Sequence, residues 1–338
     1  QEEPIIAKVI QIAKKSGYSI ATVSRVLTGK AKGRSRSVSE ILLTARELGY
    51  KTPSSNYKDI SLPLDIALIT QHDAEEFYSC LYESFDRVSA TKNIHLSIHS
   101  AKYSKNLQNQ IQLLSKYNDG IILMAPTLDK VGYENIIQKI FSYPLVSIAP
   151  VEGNIVPTIT FDSYEGGRLA AELLVNSGYQ NFGVITGPSK KLEANLRRNG
   201  FQDFLRKNNY KIDWEYQGDY SFNSGEKAFN TVNELIKCNL GIFSSNDQMA
   251  LGFLHSASEK GFQVPKDFGI IGYDNTPCSK VFYPKLSTIE TNLDLLAKNT
   301  LDFITQKIKL SETDSINPTT TLLPVELIKR KTHSNEKS

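Results

Sequence analysis

The sequence predicts an α/β protein in which a two-lobed core of two doubly wound parallel sheets follows an all-α N-terminal domain. Three observations predict this fold. From Asp65 onward, short apolar stretches alternate with amphipathic ones, as in parallel sheets flanked by helices, and the alternation occurs in two sets. The first 51 residues show helical periodicity only. A polar segment containing Pro53 and Pro63 separates the two regions.

Three short helices are predicted in residues 1–51. Apolar residues recur at helical spacing in each of them: Val9, Ile12 and Ala13, then Val23, Val26 and Leu27, then Ile41, Ala45 and Leu48. Gly17 ends the first helix, and Ser19 is a favourable N-cap for the second. The third helix starts near Ser37 and stops at Gly49.

The charge of this region differs from that of the rest of the chain. The 338 residues carry a net charge of +3, but residues 1–60 hold 11 Lys and Arg against 5 Asp and Glu. No acidic residue occurs from Pro4 to Ser39. Helices rich in cations and free of carboxylates suit a polyanionic phosphate backbone. A solvated basic bundle with no role in nucleic-acid binding is the alternative.

A helix, a tight turn at Gly17 and a second helix are the components of a helix-turn-helix. The face of the second helix opposite its apolar stripe would meet the major groove. Ile20 and Ala21 suit thymine methyl groups, and Arg25 suits O6 and N7 of guanine. The hydroxyl groups and the remaining cations suit phosphates. The predicted contacts to double-stranded DNA are Ser19, Ile20, Ala21, Thr22, Ser24, Arg25, Thr28, Arg34 and Ser37.

After a linker at 52–64, the core is predicted at 65–330. Strands are predicted at 65–70, 94–100, 120–125, 144–150, 158–161, 182–187, 240–246, 268–274 and around 320–329, with helices near 75–93, 106–117, 132–143, 163–178, 190–208, 222–237, 247–261 and 292–308. We expect one lobe at about 65–160 plus 291–320, the other at about 161–290 plus 321–330, and a tail at 331–338. Ligands of such folds bind outside the carboxyl ends of the strands, here between the lobes.

Several other classes of protein are disfavoured. Cys80, Cys238 and Cys278 have no metal-binding spacing and suit free thiols in a reducing cytoplasm. The sequence contains no phosphate-binding, dinucleotide-binding or nucleophile-elbow motif, so we expect no cofactor and no enzyme. His95 and His99 share one face of a strand without a third ligand, so a structural role is favoured over a metal site. No apolar run is long enough to cross a membrane, and no signal peptide is evident.

Two stretches of the N-terminal region, "IAKKSGYSIATVSRVL" and "ELGYK", resemble the signature of the lactose/galactose repressor (LacI/GalR) family. Core blocks such as "TITFDSYEGGRLAAELL", "NLRRNGF", "SSNDQMALGFL", "VPKDFGIIGYDNTP" and "PKLSTIE" follow in the family's order, so the resemblance covers about residues 5–330. It implies a core like that of periplasmic sugar-binding proteins. It also implies a bacterial repressor whose homodimer binds a palindromic operator under the control of a small effector, a sugar.

The resemblance also implies an effector site. Arg197, Asn246 and Asp274 match positions that hydrogen-bond sugar hydroxyls in family members. Positions that often carry aromatic or apolar surface are matched by Phe77, Tyr78, Phe161 and Tyr220. A guanidinium, an amide and a carboxylate suit a polyol. Each residue also has a simpler interpretation, since Asn246 can cap a helix and Arg197 can be a surface cation.

The linker departs from the family, because it lacks the Ala, Arg and Leu pattern of a hinge helix. The tail has no leucine heptads, which favours a dimer over a coiled-coil tetramer.

Three alternative functions remain: an enzyme, a secreted sugar-binding receptor, and a family member controlled by a protein partner instead of a small molecule. The effector either releases the DNA or is required for binding to it.

Overall fold

The structure is a computed structural model that describes residues 5–28, 36–50, 63–71, 75–104, 106–140, 143–232, 235–236, 239–309 and 318–334. The predicted DNA contact Arg34, the thiol of Cys238 and residues 52–62 of the predicted linker lie outside these ranges. Cys80 and Cys278 are free thiols.

The N-terminal region contains the three predicted helices, α1 (Ile5–Ser16), α2 (Ile20–Leu27) and α3 (Arg36–Glu47). One residue from each stripe, Ile12, Val23 and Ile41, is fully buried where the helices meet. Gly17 occupies the turn before α2 with φ +75°, a conformation that favours glycine. The apolar spacing therefore predicted this small core correctly.

The first lobe is built on a six-stranded parallel sheet in the order β11-β5-β4-β3-β1-β2. Its strands are β1 (Leu64–Thr70), β2 (Ile94–Ser100), β3 (Gly120–Met124), β4 (Leu145–Ser147), β5 (Thr158–Phe161) and β11 (Thr320–Leu323). The helices of this lobe are α4 (Glu76–Ala90), α5 (Leu107–Leu114), α6 (Lys130–Lys139) and α12 (Leu293–Lys309).

The second lobe has its own six-stranded sheet in the order β12-β10-β9-β8-β6-β7, in which only β12 is antiparallel to its neighbour. Its strands are β6 (Asn181–Thr186), β7 (Trp214–Gln217), β8 (Leu240–Ser244), β9 (Phe268–Asp274), β10 (Ser287–Glu290) and β12 (Glu326–Ile328). Its helices are α7 (Ser163–Asn176), α8 (Leu192–Lys207), α9 (Phe222–Phe229), α10 (Asp247–Glu259) and α11 (Pro277–Val281). Among the described helices, none combines the length and apolarity needed to cross a bilayer.

The C-terminal boundaries differ from those predicted. The segment around 320–329 forms two strands in different sheets, because Pro324 interrupts it and cannot donate to a ladder. The chain therefore crosses between the lobes after Leu323, later than expected. Residues 331–334 are not a free tail, because Thr332 exchanges backbone and side-chain hydrogen bonds with Ile270 and is fully buried.

Three elements were not predicted, namely β7, β10 and α11, and the helix expected near 222–237 ends at Phe229. The missed strands and α11 are only four or five residues long, too short for a periodic pattern.

A close helix crossing positions the first half of α8. A Cβ atom on Gly167 of α7 would lie 1.9 Å from the carbonyl oxygen of Arg197, and one on Gly200 would lie 1.9 Å from that of Tyr164. The two backbones therefore touch at paired glycines. Since Arg197 lies within this contact, the crossing fixes where its backbone sits relative to the sheet.

Candidate DNA-binding surface and interlobe cleft

The second helix of the N-terminal domain is capped and oriented as the sequence predicts. The hydroxyl oxygen of Ser19 accepts a hydrogen bond from the Thr22 N–H at 3.2 Å, as an N-cap does. Val23, Val26 and Leu27 are buried against the other two helices. The opposite face of α2 is in solvent and carries Ile20, Ala21, Ser24, Arg25 and Thr28.

The polar groups of this surface differ in what they can offer a ligand. The hydroxyl of Ser19 lies 2.8 Å from that of Thr22, and the hydroxyl of Thr28 donates to the Ser24 carbonyl at 2.7 Å. Arg25, by contrast, forms no ion pair with any described residue and is exposed. Ser37 lies half-buried in the first turn of α3.

The described carboxylates of this domain lie on α3 and are both engaged. Glu40 accepts a hydrogen bond from the hydroxyl of Tyr18 at 2.6 Å, and Glu47 pairs with Lys15 at 2.8 Å. None of the three helices has an acidic residue in its first turn. The exposed face of α2 therefore presents apolar, hydroxyl and cationic groups without a competing carboxylate.

A cavity that is partly open to solvent lies between the lobes, at the carboxyl ends of the strands, with about 370 Å³ of empty space including the solvent at its mouth. Side chains from both lobes line it: Glu75, Phe77, Tyr78 and Met124 from the first, and Lys191, Glu193, Arg197, Tyr220, Asn246 and Asp274 from the second. Phe161, a predicted effector contact, is buried in the core at the end of β5 and does not line the cavity.

An arginine and a carboxylate meet on the second-lobe wall of the cavity. Arg197 is only 8% exposed, and its guanidinium lies 3.6 Å from Oδ1 of Asp274 and 3.6 Å above the ring of Tyr273. It also donates a hydrogen bond to the carbonyl oxygen of Ser245. Burial raises the pKa of Asp274, and the neighbouring guanidinium opposes this rise. Arg197 is therefore a buried, fixed group and not a surface cation.

Asn246 both caps α10 and lines the cavity. Its Oδ1 accepts from the N–H of Met249 at 3.0 Å, and its Nδ2 donates to the carbonyl oxygen of Tyr220 at 2.8 Å. Tyr220 and Asp274 adopt φ values of +75° and +106°. Such values are unfavourable for bulky residues, and residues that adopt them cluster at functional sites. The backbone of this wall is therefore strained at two of the predicted effector contacts.

Three charged residues of the cavity were not predicted. Lys191 is 4% exposed, and its Nζ lies 4.7 Å from the centroid of the Tyr220 ring. Burial lowers the pKa of Lys191, although Glu193 and Glu75 oppose this. Burial likewise raises the pKa of Glu193 and of Glu75, against the effect of nearby cations. Their position in the sequence could have indicated a role in the site, because Lys191 and Glu193 lie between the end of β6 and the first turn of α8.

Asp247 is fully buried next to the cavity wall and has a structural role. Its Oδ2 accepts from the N–H of Thr276 at 2.8 Å, and its Oδ1 accepts from the hydroxyl of Thr288 at 2.6 Å. Burial raises the pKa of Asp247 to about 7. These bonds tie the start of α10 to the turn after β9, where Asp274 lies.

The histidines of β2 have partners within the first lobe. His95 Nδ1 lies 3.0 Å from a carboxylate oxygen of Asp65, and His99 Nε2 lies 3.0 Å from the hydroxyl of Ser97. Within the described ranges, no three His, Cys, Asp or Glu side chains form a group that could hold a metal.

Comparison with known proteins covers both the N-terminal domain and the core. A family model described as a periplasmic binding protein-like domain matches residues 171–333. The structure of the Lac repressor dimer bound to operator and the anti-inducer ONPF superposes with a TM-score of 0.73 at 27% identity, over 96% of this chain and 98% of that one. In sequence and in fold, the chain is therefore similar to proteins of the lactose/galactose repressor family.

Two proteins with similar sequences are transcriptional regulators. The chain is 28% identical to catabolite control protein A of Priestia megaterium over 289 residues, which are 83% of this chain and 86% of that protein. It is 25% identical to the transcriptional repressor PurR of Histophilus somni over 311 residues, which are 90% and 92% of the two chains. The fold class expected from the sequence is confirmed by the two sheets and by the superposition on the Lac repressor.

Proposed function

We propose that this chain is a sequence-specific DNA-binding transcriptional repressor that binds a palindromic operator as a homodimer. A small molecule, a sugar, would control it from the interlobe cavity. The observation that carries the proposal is the exposed face of α2, which displays Ile20, Ala21 and Arg25 beside a capped helix N-terminus and without a carboxylate. The Lac repressor, with which the chain superposes, is a dimer in complex with operator.

The N-terminal end of α2 would enter the major groove, because small side chains there permit close approach. Ile20, which is 53% exposed, and Ala21 would meet thymine methyl groups, and Arg25 would donate to O6 and N7 of guanine. Hydroxyl groups and further cations, Arg34 among them, would hold phosphates. The two domains of a dimer would occupy successive major grooves, about 34–36 Å apart.

The cavity would act as the control site. Arg197 and Asp274 would hydrogen-bond hydroxyl groups, and Phe77, Tyr78 and Tyr220 would cover apolar faces of the ligand. Closure of the lobes on a ligand would change the spacing of the two N-terminal domains, and a coupling of about 1–3 kcal/mol is typical of such regulation. We propose that the cavity binds its ligand without catalysis, since the relatives are regulators. We also propose that the protein is located in the cytoplasm, on the nucleoid.

The proposal is tested by selecting bound sequences from random DNA with the full-length protein and with residues 63–338 alone. We expect a palindromic consensus with the full-length protein only, and a change in retained DNA when sugars are added. Equal retention of DNA by the two proteins would refute the DNA-binding role. A consensus that no sugar or nucleobase alters, with no heat of binding to the protein, would favour control by a protein partner.

A further inference from the structure

The interlobe cavity carries more charge than a neutral sugar requires. In addition to the Arg197–Asp274 pair, it is lined by the carboxyl groups of Glu75 and Glu193 and by the ammonium group of Lys191. When all five groups are ionised, the lining has an excess of one negative charge. Hydroxyl groups can hydrogen-bond to these side chains, but they cannot balance that charge.

One of the carboxyl groups is buried with an unused acceptor. Glu193, the second residue of α8, is 8% exposed. Its Oε2 is fully buried and has no hydrogen-bond partner among the described residues. A buried acceptor without a donor is unfavourable, and such atoms are uncommon in native proteins unless a water, an ion or another bound group supplies the donor.

Lys191 does not complete that bond. No carboxylate oxygen of the described residues lies within 4.0 Å of its Nζ, which instead lies above the ring of Tyr220. Its ammonium group interacts electrostatically with both Glu193 and Glu75. Arg197 also acts electrostatically on Glu193, so two cations face the carboxyl groups of Glu75, Glu193 and Asp274. Full ionisation of these groups leaves one negative charge in the lining without a counter-charge.

We propose that the ligand of this cavity is an amino sugar whose protonated amine is bound by Glu193 and Glu75, while its hydroxyl groups meet Arg197 and Asp274. The inference rests on the proposed function, because it names the chemical class of the effector. A sugar phosphate or a uronic acid would add negative charge to a lining that already has an excess. A protonated amine balances the charge and supplies the donor that Oε2 lacks.

The test is isothermal titration calorimetry of the full-length protein at about pH 6.5, where the amine is protonated. D-glucosamine, D-galactosamine and D-mannosamine are each compared with the corresponding neutral hexose and N-acetylhexosamine. We expect at least one amine to bind about 10- to 100-fold more tightly than both neutral analogues, the range of a hydrogen bond to a charged group. Equal or weaker binding of all three amines, or no binding, would overturn the proposal.

Two substitutions have opposite expected effects, which a merely structural role would not produce. Glu193→Gln keeps the side-chain size and should remove most of the preference for the amine. Lys191→Met removes the competing cation and should raise affinity for the amine several-fold. Glu326→Gln on β12, an exposed carboxylate outside the cavity, is the matched control and should leave the preference unchanged. If Glu193→Gln fails to fold, the affinity of Lys191→Met for the amine still tests the proposal, since a fall in that affinity would contradict it.

The DNA selection described above separates this inference from the proposed function. A palindromic consensus together with preference for a neutral hexose would overturn the amino-sugar proposal and leave the repressor proposal intact. Preference for the amine without any DNA binding would overturn the repressor proposal alone.

Discussion

The carboxylate of Glu76 on α4 accepts a hydrogen bond from the side-chain amide of Gln248 on α10, with 3.2 Å between Oε2 and Nε2. Its other oxygen accepts from the backbone N–H of Cys278, at 3.1 Å. Glu76 belongs to the first lobe, and both donors belong to the second. One carboxylate at the edge of the cavity thus joins the lobes in this arrangement.

We expect Glu76→Ala to favour separation of the lobes, because it removes two hydrogen bonds worth about 0.5–1.5 kcal/mol each. The radius of gyration of the ligand-free protein in small-angle X-ray scattering should increase. Glu83→Ala is the control, since Glu83 lies on the same helix and bonds Arg87 within it. An unchanged radius of gyration for Glu76→Ala would show that this contact does not hold the lobes together.

Arg25→Ala should weaken operator binding by about 1–3 kcal/mol and relax the preference at one base pair in each half-site, because a bidentate contact to guanine is lost. Binding to the operator and to single-base variants, measured by fluorescence anisotropy, checks this. Lys211→Ala, which removes an exposed cation of the second lobe, controls for net charge. Equal weakening for all sequences would instead identify Arg25 as a phosphate contact.

Asp274→Asn should reduce ligand affinity at least about tenfold, or 1.4 kcal/mol, because an amide replaces the carboxyl group beside Arg197 and one acceptor oxygen is lost. Asn is preferred to Ala here, since it tolerates the left-handed backbone at this position. Ligand titration with a gel-shift readout measures both affinity and the response of DNA binding. Asp294→Asn, which alters a surface pair with Arg87, is the matched control. An undiminished response in Asp274→Asn would remove Asp274 from the effector site.

The free energy of unfolding should fall as the pH rises from about 4 to 7, because Asp247 has a pKa raised by burial to about 7. In that window the folded state holds a proton that the unfolded state has released, so raising the pH favours unfolding, by at most about 1.4 kcal/mol per pH unit. Asp247→Asn cannot ionise and should lack this component. Urea unfolding of both proteins at pH 5, 6 and 7 measures the difference. Parallel pH profiles would show that Asp247 is ionised throughout.

Much of the fold was predictable because its cores repeat a local pattern. Val23, Val26 and Leu27 are spaced for one face of a helix, and they are buried on that face. Strand β1 contains a continuous apolar run at residues 66–69 that is fully buried, as expected for a parallel strand covered on both sides. Strand β7, "WEYQ", is short, lies at a sheet edge and is half-exposed, so its residues carry no such signal.

The sequence by itself determined the basic N-terminal domain, the two sets of strands and helices, and the general place of a ligand site, because these follow from spacing and charge within short segments. Only the tertiary structure decided that Glu75, Lys191 and Glu193 share one cavity, that Phe161 does not line it, and that Thr332 is buried in the second lobe. Which side chains meet at the ends of parallel strands depends on packing between segments far apart in the chain. Burial of a charge, which sets its pKa and its need for a partner, is a property of that packing and not of any local pattern.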